Sequence, residues 1–214
     1  MKCPALRFAV AALLLSGAPS TVAANTYWYM GLGMGLGWVQ FYPADFNTNG
    51  CTPAPCTDSK EEFDAGFKGF IGYQINRNLA LEVSWTSVGK FHYKANNGTV
   101  TEDVTYQVKG AGYSFVPTIP FTRNFSLFGR LGGFASQTRR TNYNDGAAVT
   151  AGVQSNRFTV LTGIGAQYFF NEESGIRLEF EDFGKVGSEC GPGVCAGTGR
   201  ANARMISASM VFPF

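Results

Sequence analysis

The chain has 214 residues, 45% of them hydrophobic, with 17 basic against 15 acidic side chains, a length that suits one domain. Without Lys2 and Arg7, which lie in an N-terminal leader, basic and acidic residues balance at 15 each, so the basic footprint that nucleic-acid binding requires is missing. Glycine (27), phenylalanine (19) and tyrosine (9) are abundant, yet mean hydropathy is −0.03, as expected where a greasy strand face is diluted by the opposite face.

Residues 1–24 read as a secretory signal peptide. Lys2 and Arg7 form a basic start, Phe8 to Leu15 an apolar stretch, and Val22-Ala23-Ala24 a small-residue cleavage site before Asn25. The apolar stretch is too short to cross a bilayer as a helix, and no later segment is long enough. Cys3 precedes the apolar stretch and leaves with the signal. The mature domain, 25–214, is then either soluble outside the inner membrane or a barrel.

The first mature element is the most informative. Trp28, Met30, Leu32, Met34, Leu36 and Trp38 are large and apolar, and Tyr29, Gly31, Gly33, Gly35 and Gly37 alternate with them. Side chains alternate faces along a strand, so one face is continuously greasy and the other almost bare backbone. From Trp28 to Trp38 the strand spans about 33 Å, and a tilt near 40° lowers its height to about 25 Å. That matches the apolar band of a transmembrane barrel with aromatic girdles at both interfaces, and Trp85 is read with Trp28 and Trp38 as part of them. A helix is disfavoured by the short apolar run and by each glycine, and the glycine spacing does not fit a dinucleotide loop.

Seven further strands follow. A polar stretch over 41–62 leads to alternation over 65–75, the turn Asn76-Arg77-Asn78, and alternation over 79–86. A loop over 90–103, a strand over 104–118 and a turn over 121–124 repeat the pattern, and a strand from Phe125 follows. The next loop (139–155), strand (158–168), turn (171–174) and strand (176–181) repeat it again, and a last loop over 184–202 precedes the final strand. The predicted fold is all-β: an eight-stranded antiparallel up-and-down transmembrane β-barrel with long loops on one side and short turns on the other. Inward candidates are Gly, Ser, Thr, Gln and charges, so the greasy face points to lipid, the reverse of a soluble up-and-down barrel. Eight strands enclose a lumen that side chains fill.

Two cysteine pairs share one spacing, Cys51-x4-Cys56 and Cys190-x4-Cys195. In an exported protein they read as disulfides, each stiffening its own loop, with a cross-link between the first and last loops as the other pairing. Zinc is the sharper alternative, but no histidine accompanies the cysteines; no metal and no cofactor are expected. The terminal strand alternates Ile206, Ala208, Met210, Phe212 and Phe214, and this aromatic ending resembles the signal read by the barrel-assembly machinery.

The chain resembles the transmembrane domain of the OmpA family. The resemblance rests on Asn25-Thr26 and Gly37-Trp38-Val39-Gln40, on Gly72-Tyr73-Gln74-Ile75-Asn76, on Arg130-Leu131-Gly132-Gly133 and on Arg177-Leu178-Glu179-Phe180. It implies interior charges in a salt-bridged plug that can gate a narrow ion path. Glu82 and Arg177 match one gate pair, whereas Val116 and Gln167 stand where the other pair is expected. Arg130 and Glu179 match further interior charges, and Lys68 is an extra one. A charge inside a lipid-wrapped barrel has to be paired or wetted, so Lys68, Glu82, Arg130, Arg177 and Glu179 are expected to form one network. Several family members carry a periplasmic peptidoglycan-binding domain. The sequence stops with the barrel, so wall tethering is not expected.

Three functions are weighed. The first is a structural and surface-interaction barrel whose long loops meet a host or phage ligand. Its expected partners are outer-membrane lipid, lipopolysaccharide and the barrel-assembly machinery, and the barrel is read as a monomer. The second is a narrow gated channel through the charge network. The third is an enzyme acting on outer-leaflet lipid, for which His92, Ser87 and Glu82 supply the residue types but not the geometry, since Ser87 and His92 are an odd number apart. No catalytic residues are assigned.

Overall fold

A computed structural model describes residues 26–42, 57–96, 101–144, 147–148, 152–189 and 197–214. The segment 1–24, expected to be a signal peptide, and the cysteines Cys51, Cys56, Cys190 and Cys195 lie outside the described residues. All regular structure among the described residues is β: β1 Tyr27–Phe41, β2 Thr57–Glu61, β3 Phe63–Asn76, β4 Leu79–Asn96, β5 Thr101–Pro120, β6 Phe125–Asn144, β7 Ala147–Ala148, β8 Val153–Phe169, β9 Gly175–Val186 and β10 Ala201–Pro213. β2 continues the stave of β3 past Glu62, pairing with the far end of β4, and β7 is a stub on β6. Eight antiparallel staves remain, and they close in the order β1, β3, β4, β5, β6, β8, β9, β10 and back to β1.

Closure brings the first and last staves together from Tyr29↔Pro213 to Phe41↔Ala201, and the Phe214 amide donates to the Trp28 carbonyl at 2.8 Å. The start of β1 and the end of β10 therefore lie on the rim formed by the short turns. Those turns are stitched by side chains: Asn76 Oδ1 accepts the Asn78 amide at 2.9 Å, and Asn171 Oδ1 accepts the Ser174 amide at 2.7 Å. This is how Asn-rich sequences terminate strands tightly.

The greasy face of β1 points outward as expected, with Leu32 68% exposed in the absence of lipid. Outward residues on every other membrane-level stave follow suit, among them Phe67, Val83, Phe115, Leu131, Ile164, Leu178 and Ile206. The apolar belt is continuous around the barrel.

Above the belt, on the long-loop side, the polarity inverts. Polar segments expected to be loops are strands: β4 runs on to Asn96, β5 begins at Thr101 and β6 reaches Asn144. Here Lys90, His92 and Lys94 face out, and Phe91 and Tyr93 face in. Water replaces lipid as the outer solvent, so the apolar side chains turn to the lumen. The high density of polar residues made these stretches resemble loops, although period-two alternation runs through them.

One local irregularity corrects the reading of His92. The ladder between β4 and β5 shifts register between Ser87 and Gly89, leaving Val88 as the extra residue of a β-bulge. Gly89 adopts φ +143°, a conformation that a residue with a Cβ seldom takes. The bulge resets the parity, so Ser87 and His92 share the outer face instead of opposing ones. They still lie about 15 Å apart along the stave.

Candidate functional site

The lumen is filled in three stacked layers. Nearest the short turns, Tyr29, Phe70, Ala80, Val116, Phe128 and Val211 form an apolar layer. One inward step up β3, β4 and β6 are charges: Lys68 follows Phe70, Glu82 follows Ala80, and Arg130 follows Phe128. At the long-loop end lies a larger apolar core that includes Val39, Val88, Phe91, Tyr106, Phe134, Leu161, Phe183 and Met205. The inward face is thus not only the small, amide and charged residues expected from sequence. Aromatic and branched side chains close it above and below.

The middle layer brings together all five residues expected to form a network. Lys68 on β3, Glu82 on β4, Arg130 on β6 and Arg177 and Glu179 on β9 are each 4% exposed or less. A sixth member, Glu181, is fully buried beside them. It shares the inward parity of Arg177 and Glu179, so alternation alone identifies it. Lys68 Nζ donates to Glu179 Oε1 at 2.7 Å and lies 2.8 Å from Glu181 Oε2. Arg130 bridges three carboxylates: Nη2 meets Glu82 Oε1 and lies 3.0 Å from Glu179 Oε2, while Nε is 3.4 Å from Glu181 Oε1. Arg177 Nη1 donates to Glu82 Oε2 at 2.7 Å, and the Tyr29 hydroxyl donates to the same oxygen at 3.1 Å.

Three cations meet three anions, so the layer carries no net formal charge. That balance is what burial demands, because an unpaired ion in a closed lumen costs several kcal/mol (about 3–5 when one partner of a buried pair is removed). The residues standing at the second gate position have other roles. Val116 belongs to the lower apolar layer, and Gln167 accepts from Arg177 Nη2 at 3.0 Å. The Arg177 guanidinium also lies 4.7 Å from the Phe70 ring centre, 4.8 Å from Phe128 and 5.4 Å from Tyr29. Aromatic faces thus cover the cation where carboxylates do not. Nothing in the sequence of β1 or β3 taken alone identifies Tyr29, Phe70 and Phe128 as its cover, since that depends on register.

Glycines make room for these rings. A Cβ on Gly31 would collide with the Phe70 ring, and one on Gly72 with the Tyr29 ring. Small residues on one stave receive large ones from the next.

The aromatic residues of the outer face lie as follows. Trp28 packs against Tyr73 at 5.0 Å near the short-turn rim, and Trp38 against Phe180 at 5.7 Å and Phe63 at 6.4 Å at the upper edge of the belt. Trp85, Phe212 and Phe214 point outward and are exposed. His92 Nδ1 is 3.4 Å from Thr105 Oγ1 and 3.6 Å from Asp103 Oδ1, and Ser87 takes no part in that contact.

A closed eight-stave barrel with a paired charge layer and an outward apolar belt has counterparts among known proteins. The family model for the OmpA-like transmembrane domain matches residues 23–214. This chain belongs to the OmpA-like transmembrane domain family. It is an outer-membrane β-barrel of a bacterium. Outer membrane protein A of Yersinia pseudotuberculosis is 25% identical over 189 residues, which cover 87% of this chain and 50% of that protein. Its counterpart in Klebsiella aerogenes is 26% identical over 221 residues, covering 100% of this chain and 56% of the relative. The chain thus spans about half the length of these OmpA relatives. Among solved structures, the outer membrane protein AlkL, determined by solid-state NMR in DMPC bilayers, matches with a TM-score of 0.50 at 14% identity, over 92% of this chain and 94% of that one. The likeness is one of fold.

Proposed function

We propose that this OmpA-family barrel has a structural and surface-interaction role, carrying its long loops above the outer membrane on a rigid, filled pedestal. The observation that supports this reading is the layered lumen. An ion crossing it has to pass two apolar layers and a charge layer whose six members are ion-paired with one another. The strands continue above the belt as a barrel with an apolar core, which lifts the loops clear of the lipid and fixes where each one starts. Cysteine pairs in the first and last long loops, Cys51 with Cys56 and Cys190 with Cys195, reduce the ordering cost of binding a host or phage ligand. Trp28, Trp38 and Trp85 serve as interfacial anchors, and Phe212 and Phe214 as the signal for the assembly machinery.

Planar-bilayer recording of the purified chain tests the pedestal against the channel. No resolvable steps at either polarity are expected, and reproducible single-channel steps would overturn it. Protease shaving of intact cells, with and without reductant, then tests the loops. Cleavage confined to the long loops and enhanced by reductant agrees with the proposal, whereas cleavage in the short turns reverses the topology. The outer-leaflet enzyme is disfavoured because the Thr105 hydroxyl and the Asp103 carboxylate both face the same His92 nitrogen, Nδ1, whereas a triad places nucleophile and acid on opposite ring nitrogens.

A further inference from the structure

The outer wall is not uniform just above the apolar belt. On β4, β5 and β6 the first outward rows there carry Lys90, Lys109 and Arg139, all exposed. The register places them around a single residue: Gln107 pairs with Lys90 on one side and with Arg139 on the other, and Lys109 lies two residues along the same face of β5. Adjacent staves are about 4.8 Å apart and same-face neighbours about 7 Å, so the three side chains leave the wall roughly 7–10 Å from one another. Gln137 and Asn156 extend the row of Lys109 as amides. Among the described residues none of the three cations has an acidic side-chain partner. The nearest outward acid up the wall, Asp103, is engaged by His92 and by Lys94 at 3.7 Å, and Asp64 accepts the backbone amide of Lys90 at 2.6 Å. On the other side of the barrel the corresponding row is neutralised, with Arg204 Nε 2.8 Å from Asp182 Oδ2.

Directly beneath the cations the wall is shallow. Ala111 and Ala135 face out, and the Tyr113 and Phe158 rings stack at 6.1 Å across the Gly133 backbone. An open depression of about 420 Å³ between β6 and β8 runs from Phe158 and Ala135 up to Gln137 and Asn156, with Ser136 and Arg157 also in its lining and the Arg157 guanidinium donating to the Gly187 carbonyl at 3.2 Å. A depression with an apolar foot in the belt, beside a row of unneutralised cations on the neighbouring staves, lies at the level where lipid headgroups meet water.

The geometry points to a binding site on this wall for a phosphorylated lipid of the outer leaflet. Lys90, Lys109 and Arg139 hold its phosphates, and one acyl chain lies in the depression beside Ala135 and Phe158. A free phosphate has no use for the apolar foot, and a neutral lipid has none for the cations. A guanidinium and two ammonium groups suit phosphate oxygens, the former in a bidentate manner. The site lies on the wall and does not depend on the loop-borne role proposed above.

Native mass spectrometry of the full chain in detergent tests it, with three probes: bisphosphorylated lipid A, lipid A stripped of both phosphates, and inorganic phosphate. A surface cation near a phosphorylated membrane is worth about a fivefold change in affinity, so the variant K90Q/K109Q/R139Q loses on the order of a hundredfold for lipid A. Stripped lipid A binds the native chain as weakly as intact lipid A binds the variant. Lys185→Gln, on β9, changes nothing, and Ala135→Trp weakens lipid A binding without removing charge by filling the depression. Undiminished lipid A binding by the triple variant overturns the assignment. So does equal binding of the stripped lipid, and so does inorganic phosphate binding as tightly as lipid A, which would mark a plain anion site. Heat-modifiable gel mobility confirms that each variant is folded. If the triple variant is not, Lys109→Gln and Arg139→Gln separately are each expected to lose about fivefold, and no loss in either overturns the site.

Discussion

Replacing Lys68 by methionine isolates the energetics of the charge layer. Lys68 Nζ faces two carboxylates, at 2.7 Å from Glu179 and 2.8 Å from Glu181, and all three side chains are essentially inaccessible. Methionine keeps most of the volume but removes the positive charge, leaving two cations to balance three anions. At an effective dielectric of about 20, each pair at this distance is worth roughly 6 kcal/mol of gross attraction, largely offset by the desolvation already incurred. What the variant exposes is the unbalanced carboxylate, so Lys68→Met should destabilise the barrel by about 3–5 kcal/mol. The double variant Lys68→Met/Glu181→Gln restores neutrality, with Arg130 still held by Glu82 and Glu179, and should recover a large part of that loss. Urea unfolding of the barrel in lipid vesicles, followed by tryptophan fluorescence, measures both, and a double-mutant cycle gives the coupling. Strictly additive effects, or a Lys68→Met cost below about 1 kcal/mol, would show that the layer is wetted and not closed, and the argument against an ion path would fail with it.

The same unfolding assay checks three further expectations. Leu32→Arg, in the middle of the belt, should cost about 2–4 kcal/mol, whereas Gln40→Arg, above it, should cost about 0–1; equal effects would mean the belt has been misplaced. Gly72→Ala drives a Cβ into the Tyr29 ring and should cost about 1–3 kcal/mol, with slower appearance of the heat-modifiable folded band. Gly89→Ala forces an L side chain into φ +143° at the β4 bulge and should cost about 1–3 kcal/mol; no effect would mean the bulge relaxes readily.

The membrane half of the barrel was legible because period-two patterning and a constant outer solvent reinforce one another. In β1 the large residues and the glycines never exchange faces between Trp28 and Trp38, and the structure keeps that assignment. The inward parity of Arg177, Glu179 and Glu181 was equally plain, and it carries half of the charge layer. The upper half was hidden by the same reasoning. Above Trp38 and Ser87 the outer solvent becomes water, so greasy no longer means outward, and Phe91, Tyr93, Val104 and Tyr106 turn into the lumen. A rule learned from the belt misreads Phe91 and Tyr93 as loop. The bulge at Val88 adds a second obstacle, since one extra residue reverses every later parity on that stave. Composition gives no sign of it beyond the glycine that follows.

What remained invisible is what depends on two staves at once. Tyr29 fits only because Gly72 lies opposite, and Phe70 only because Gly31 does. Those fits place aromatic faces against Arg177 and a hydroxyl on Glu82. The charge layer and the rings below it therefore form one unit: carboxylates pair with the cations, while the aromatic layer closes the approach from the short-turn end. Moving an ion through would require separating Arg177 from Glu82 and shifting Phe70 or Phe128 out of the lumen together. Glycines on neighbouring staves leave no slack for that motion, because the rings already occupy the space they provide. Rigidity of this kind suits a pedestal, and it arises from the same alternation of bare and bulky positions that first marked β1 as a membrane strand.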